Sequence, residues 1–349
     1  MSDALKIYTG ADDMAEGLFG QVFMCTLEIL PYLDSIGSRP SWAIRSKLYG
    51  QPANDFIVIP GLLEVNYQPT SGSGREINLR DLRKLEYAAM GSDWEYISGI
   101  WNKFFRVPDW ISRQADEFPP LDRALGLHYR GTDKNRATIE TNFVSAEDFL
   151  MLVRDFVATH PDIDLILIAT DENAFVERVK AQHPGLRVVN SGKVTHHKDL
   201  AGQDGFIKGG HALLDCVLLS RCKYLLKCQS ALSGFAKLFN PRLEAYRLAA
   251  SKLVYWNFGT PHVPDGYLPK LTSRDPACQQ ILTRLFAGDW TENKLAVKRY
   301  GTPFKYRKRK GYMRRASAEN FCRIPLWSWD GIYSRLDRRI DLLRNWIGV

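Results

Sequence analysis

Leu165-Ile166-Leu167-Ile168-Ala169 is an unbroken apolar run that ends abruptly in Thr170-Asp171-Glu172. A segment this short, apolar on both faces, fits a strand buried in the middle of a parallel sheet. Parallel neighbours need long crossovers, usually helices. Helical patterns are found on both sides. Upstream, Ser145-Ala146-Glu147-Asp148 resembles a capping box, and Phe149, Leu152, Val153, Phe156 and Val157 follow at helical spacing up to His160-Pro161. Downstream, Thr170 is expected to cap a helix that stops at Pro184-Gly185.

The same alternation extends in both directions. Leu125-Gly126-Leu127-His128-Tyr129-Arg130 reads as a strand entering a polar loop, and Leu186-Arg187-Val188-Val189 as another. Gly209-Gly210 is expected to open a helix from His211 to Arg221. Tyr224-Leu225-Leu226 reads as a strand, and Ser230 to Phe239 as a short helix. Repeated strand-helix units predict a doubly wound α/β domain over 121–250. Residues 1–120 start similarly: a strand Leu5-Lys6-Ile7-Tyr8, a turn with Gly17 and Gly20, then a helix from Val22 to Leu33. Ile57-Val58-Ile59 reads as a strand, Ser71-Gly72-Ser73-Gly74 as a loop and Asp81 to Ile100 as helical. The rest, 251–349, is rich in Trp, Tyr and basic residues, with helical spacing from Ile332 to Ile347.

The 349 residues are 45% hydrophobic, 12% aromatic and 25% charged, which excludes disordered, collagen-like and disulfide-scaffold classes. No run of about 18 apolar residues is present, so no spanning helix is expected. The start of the chain lacks the basic-then-apolar pattern of a signal peptide. Six scattered cysteines read as reduced, mostly buried thiols in a cytoplasmic protein. The net charge of +8 is local: ten Lys or Arg and no Asp or Glu lie between Lys294 and Arg315. Without them, 37 basic residues face 39 acidic ones, a body near −2.

In a parallel α/β sheet, ligands bind beyond the carboxyl ends of the strands. The strand ending at Tyr129 delivers Arg130-Gly131-Thr132-Asp133-Lys134 there. Arg130 can grip a phosphate with two parallel hydrogen bonds, Lys134 adds a point charge, and Gly131 permits close backbone approach. A surface ion-pair loop would use the same residues. Asp171 and Glu172 either touch a sugar hydroxyl or ribose, or are first-turn acids favoured by the helix dipole. Asp215 lies among Leu213, Leu214, Val217 and Leu218, where burying a carboxylate is costly unless it is satisfied. Ionised, it suits the paired N–H donors of guanine; otherwise it caps or pairs near the helix start. Ser230 opens the last helix, either as an anion site or as a simple cap. Gly17 and Gly20 could face the same diphosphate. Asp162-Ile163-Asp164 lies at the wrong end of its strand for a ligand. His196-His197 with Asp199 lacks the further ligands of a metal site.

Three blocks resemble the GDP-fucose-dependent fucosyltransferases, nearest to the α1,6-fucosyltransferases of the N-glycan core and rhizobial nodulation-factor type. They are His128-Tyr129-Arg130-Gly131-Thr132-Asp133-Lys134 with Ile139-Glu140-Thr141-Asn142-Phe143, then Leu167-Ile168-Ala169-Thr170-Asp171-Glu172, then Leu214-Asp215-Cys216-Val217-Leu218-Leu219-Ser220 with Ser230 after it. The resemblance covers about 128–240. It implies a GT-B-like fold, with two Rossmann-like domains facing across a cleft: 1–120 on the acceptor side, 121–250 on the donor side, and 251–349 as a basic, aromatic-rich extension. It implies an inverting transfer of fucose from GDP-fucose to a glycan hydroxyl, with no metal or other cofactor. Arg130 would bind the β-phosphate, His128 and Asp215 would recognise guanine, and Ser230 would hold the diphosphate. Glu140, near Lys134, would take the base position, with Asp133 as the second candidate.

The segment 294–315 either is a solvated loop or meets an anionic partner. An anionic membrane gains about 1 kcal/mol per nearby Lys or Arg, so the cluster would hold the protein peripherally at the inner face of a membrane. Other classes are a transferase using another nucleotide sugar, a non-catalytic nucleotide-sugar binder, and a nucleic-acid binder. The near-neutral body disfavours the last, so no nucleic-acid partner is expected.

Overall fold

The computed structural model describes residues 5–10, 17–70, 75–79, 94–131, 141–192, 204–250, 254–255, 260–261 and 268–289. The first sheet is built around β1 (Leu5–Tyr8). A π-helical turn (Leu18–Phe23) leads into α1 (Met24–Ser35), which starts two residues later than the apolar spacing predicts. β2 (Ser41–Arg45) pairs parallel with β1, and β3 (Ile57–Ile59) closes that side antiparallel. After the short β4 (Glu64–Val65), β5 (Arg75–Asn78) pairs parallel on the other side of β1. The order is β3-β2-β1-β5. Of the helix expected over 81–100, the described part is α2 (Trp94–Phe104); 80–93 lie outside the described residues. β6 (Phe105–Arg106) pairs with β4, and α3 (Asp109–Asp116) follows.

The second sheet begins with β7 (Ala124–Tyr129), buried along its whole length. α4 (Ala146–Thr159) is capped by Ser145, whose Oγ accepts the Asp148 N–H at 3.1 Å, as the box spacing predicts. β8 (Leu165–Thr170), α5 (Asn173–Gln182) and β9 (Arg187–Asn190) follow. Thr170 is not the cap of α5: Glu172 holds that position, and the Thr170 hydroxyl accepts the Glu172 N–H. α6 runs Gly205–Arg221, β10 Tyr224–Lys227, α7 Ala231–Phe239 and β11 Glu244–Arg247. All five strands are parallel, in the order β11-β10-β7-β8-β9.

The predicted opening of α6 at Gly209-Gly210 is wrong by a full turn and more. Asp204 caps it, accepting the Phe206 N–H at 2.8 Å, and both glycines lie inside the helix. They persist there because the helix is pressed against its neighbours. A Cβ at 209 would lie 2.4 Å from Leu62, and one at 210 would lie 2.3 Å from Trp110 of α3. Close packing here outweighs a propensity cost of about 1 kcal/mol per glycine.

Side chains of the second sheet alternate between two cores. Leu125, Leu127, Ile166, Ile168 and Leu226 pack with Phe149, Phe156 and Phe175 of α4 and α5. Ala124, Leu165, Leu167 and Leu225 pack with α6 and α7, and this core continues without a break into Ile7, Phe23, Ile44 and Trp101 of the first sheet. Phe235 of α7 makes edge contacts with Phe19, Phe23 and Trp101. The two sheets therefore share one core on that side. α8 (Pro276–Leu285) contributes Cys278, Leu282 and Leu285 to the α4/α5 core. At the β11 edge, Arg247 Nη1 and Nη2 meet both carboxylate oxygens of Asp289 at 2.6 and 2.8 Å, with Lys270 at 3.1 Å. The five described cysteines are buried and form no disulfide. Among the described residues, no helix is long and apolar enough to cross a membrane.

Candidate functional site

The strand order locates the site before any side chain is considered. The chain builds β7, β8 and β9 outward, then returns to place β10 and β11 on the other side of β7. The reversal falls between β7 and β10. At such a reversal the carboxyl edge of a parallel sheet is where ligands bind.

Arg130 and Gly131 leave β7 at this edge, and the backbone at Gly131 is tied to the end of the next strand. The Gly131 N–H donates to Asp171 Oδ1 at 3.0 Å, tying the β7 loop to the β8 loop. A Cβ at position 131 would lie 2.0 Å from Glu172 Oε1, so a larger residue there must push that side chain aside. Asp171, one of the two acids read either as ligand contacts or as first-turn acids, makes this backbone tie. Burial raises the Glu172 carboxyl above its usual range, and the neighbouring Asp171 adds to the shift, against an opposing pull from Arg178. This partly desolvated carboxyl is one of the two acids that the sequence offered either as sugar contacts or as first-turn acids.

His128 is buried one residue inside the edge. Its Nδ1 lies 2.9 Å from Ser233 Oγ on α7. Burial, then the charges of Lys227 and Arg130, hold the imidazole well below its usual pKa, so the ring is neutral. Lys227, fully buried, lies level with His128 on the adjacent strand. Ser233 stands three residues after Ser230, on the same helical face. That spacing is the signal that could have singled it out.

Ser230 is the N-cap of α7, with no capping bond from its side chain to the helix. The first N–H groups of α7, at the positive end of the helix dipole, lie at this carboxyl edge. The turn containing Gly20 arrives at the same place from the first sheet. The Cβ that Gly20 lacks would lie 3.7 Å from the Ala231 Cβ, in ordinary contact. Gly17 anchors that turn through its carbonyl, which accepts the Val22 N–H at 3.0 Å.

Asp215 lies in the middle of α6, not near its start, because the helix begins earlier than predicted. Part of the residue remains exposed, but enclosure of its carboxyl pushes the pKa up to about 7, against a hydrogen bond with Ser191 that lowers it. Ser191 directly follows β9. Register places it level with Ala169 and His128, since Asn190 pairs with Ile168. Two strand spacings therefore separate Ser191 from His128, roughly 10 Å. The structure joins His128 to Ser233 and Asp215 to Ser191; it does not join His128 to Asp215.

Asp133, Lys134 and Glu140 lie outside the described residues, as do His196, His197 and the basic segment 294–315. At the opposite edge of the sheet, Asp162 pairs with Lys223 at 2.7 Å and Asp164 with Arg123 at 3.3 Å. They are surface ion pairs, in keeping with their place at the wrong strand end.

These features define an α/β protein whose parallel sheet brings Arg130 and the N-terminus of α7 to one edge at its switch point. Solved structures similar to this chain include the fucosyltransferase NodZ from Bradyrhizobium, 18% identical over 69% of this chain and 95% of that one, with a TM-score of 0.46. An Arabidopsis thaliana FUT1 variant in complex with GDP is 10% identical over 71% of each chain, TM-score 0.41. POFUT1 in complex with GDP is 11% identical over 70% of this chain and 98% of that one, TM-score 0.42. No family model and no curated protein matches the sequence.

Proposed function

We propose that this chain transfers fucose from GDP-fucose to a hydroxyl of a glycan acceptor, with inversion at the sugar carbon and without a metal. One observation carries the reading: the carboxyl edge of the second sheet bears a guanine-suited carboxyl and a diphosphate-suited cation in a single row. Asp215 lies at the β9 end, and Arg130 with the N-terminus of α7 lies at the switch point. The three blocks that resemble fucosyltransferases in sequence hold these same residues.

In this reading Asp215 accepts two N–H donors from one edge of guanine, which adenine does not offer. Arg130 grips the diphosphate, and the N–H groups of α7 with Ser230 complete its cradle. The turn with Gly17 and Gly20 closes on it from the first sheet. His128 acts through Ser233, holding α7 against β7. As the sugar–oxygen bond breaks, the leaving diphosphate gains negative charge in an oxocarbenium-like transition state. A fixed guanidinium and a helix N-terminus stabilise that charge where it develops. A carboxylate takes the proton of the acceptor hydroxyl on the opposite face. Glu140 is assigned that role, with Asp133 as second candidate. The acceptor enters from the side of residues 1–120. The basic segment 294–315 holds the protein peripherally to an anionic membrane surface.

The test is a thermal-shift screen of the chain against GDP-fucose, GDP-mannose, UDP-sugars and ADP-sugars, each with and without EDTA. A ligand adds RT ln(1 + [L]/Kd) of stability, so a ligand at 100 times its Kd adds about 2.7 kcal/mol. GDP-fucose is expected to give the largest shift, unchanged by EDTA, and R130A is expected to lose it. Equal shifts from uridine and adenosine diphosphate sugars, or an R130A variant that binds GDP like the wild type, would end this reading.

A further inference from the structure

Gln229 stands between Cys228 and Ser230 in the turn from β10 into α7. It is only 6% exposed, yet neither Nε2 nor Oε1 has a hydrogen-bond partner among the described residues. A buried amide left in this state is costly, and an apolar side chain of similar shape would remove the cost. Trp101, Gln182 and His183 also carry buried atoms without such partners, but Trp101 lies in the ring cluster of the first sheet, and the other two lie at the far end of α5. Gln229 is at the switch-point edge itself.

The end of β10 sets the place of the amide. Tyr224, Leu226 and Cys228 face the α4/α5 core, while Leu225 faces α6 and α7. β10 ends at Lys227, and Gln229 lies in the bend that leads from it to Ser230, the N-cap of α7.

The chemistry of an amide narrows what could satisfy it. Gln offers one acceptor and two donor hydrogens. A phosphate only accepts, and would leave Oε1 unmet. A sugar hydroxyl both donates and accepts, so one hydroxyl, or two adjacent ones, can meet both ends. Position agrees with this. Along the edge the order is Asp215 and Ser191 at β9, Asp171 at β8, Arg130 at β7 and Gln229 at β10. A nucleotide sugar laid with its base on Asp215 and its diphosphate at Arg130 brings its sugar toward Gln229. We propose that Gln229 is a specificity-determining residue whose amide reads hydroxyls of the transferred sugar. This rests on the nucleotide-sugar reading given above.

The experiment compares GDP and GDP-fucose binding by calorimetry for the wild type, Q229M and Q229A, with a melting curve of each unliganded protein. The wild type is expected to bind GDP-fucose more tightly than GDP. Q229M should bind GDP as the wild type does but GDP-fucose about tenfold more weakly, the equivalent of one or two lost hydrogen bonds. Its unliganded melting temperature should equal or exceed that of the wild type, because two unmet polar atoms are gone. Q229A should show the same loss of preference even if its cavity lowers the melting temperature. Three results overturn the assignment alone: a wild type that binds the two ligands alike, a Q229M that keeps the preference, or a Q229M that loses both ligands equally. A wild type that binds neither ligand overturns the functional reading itself, and this assignment with it.

Discussion

Asp171 Oδ1 accepts the backbone N–H of Gly131 at 3.0 Å and so ties the end of β7 to the end of its neighbour β8. Because Gly131 also lies under the Glu172 carboxylate, a methyl group at 131 would meet Glu172 Oε1 at 2.0 Å. That oxygen ends a flexible side chain, so G131A is expected to displace it without breaking the fold. Stability should change by no more than about 1 kcal/mol. Nucleotide affinity should fall about tenfold or more, because the loop that aims Arg130 is shifted. A melting curve and a GDP titration check the two halves separately. Intact affinity in G131A would show that the loop does not aim Arg130.

The raised carboxyl of Asp215 gives the site a pH signature. Its pKa in the fold is pushed up to about 7, from an ordinary value of 3.8. A guanine edge with two donors binds the ionised form. Below pH 7 binding must first remove a proton, so GDP affinity should rise with pH, at most about tenfold per unit, and level off above 7. D215N should abolish this slope and the preference for guanosine over adenosine diphosphate. The check is a set of GDP and ADP titrations from pH 5.5 to 8.5. The same shift acts on folding with a fixed sign. The group is raised, so the stability it contributes is full below the unfolded value of 3.8 and is lost as pH rises through about 7.

His128 has the opposite sense. Burial and two nearby cations lower its pKa well below 6.5. The unfolded chain therefore takes up a proton near 6.5 that the folded chain refuses. The stability this residue contributes is full above 6.5 and is lost as pH falls from there toward the folded value. H128N should flatten the acid limb of the stability curve, leaving the part due to His183, whose pKa burial also lowers. S233A should cost about 1–3 kcal/mol at neutral pH, because it leaves a buried ring nitrogen without its partner. Urea melts at pH 5.5, 6.5 and 7.5 distinguish the two effects.

Much of the second sheet was legible because its signals are local. The apolar run 165–169 needs no tertiary information to be a buried strand, and Ser145 needs only Asp148 to be a cap. The failures were tertiary. Gly209 and Gly210 look like a helix start until Leu62 and Trp110 arrive against them from the first sheet. That error misplaced Asp215 near a helix end and hid its partner Ser191, which has no motif of its own. Gln229 was silent for a similar reason. Its signal is the lack of a partner in a buried place, and burial is a property of the packed chain. The carboxylates proposed as base, Glu140 and Asp133, rest on sequence alone.

The β11 edge offers a prediction about stability rather than chemistry. Arg247 meets both carboxylate oxygens of Asp289, and both residues are almost completely buried. Lys270 adds a third charge at 3.1 Å, and the Arg247 Nε donates to the Leu268 carbonyl at 2.9 Å. This cluster pins residues 268–289 to the open side of β11. Charges enclosed in this way gain little net stability as a pair, because desolvation offsets their attraction. Removing one partner is another matter, since the other stays enclosed and unmatched. D289A should therefore destabilise the protein by about 3–5 kcal/mol. The double variant R247M/D289L, which removes both charges and keeps much of the volume, should recover most of that loss. Urea melts of the single and double variants measure both terms. A double variant as unstable as D289A would mean that the cluster is needed for more than its own neutralisation. GDP affinity measured on the same proteins should stay unchanged, because β11 lies two strands from Arg130, beyond the switch point.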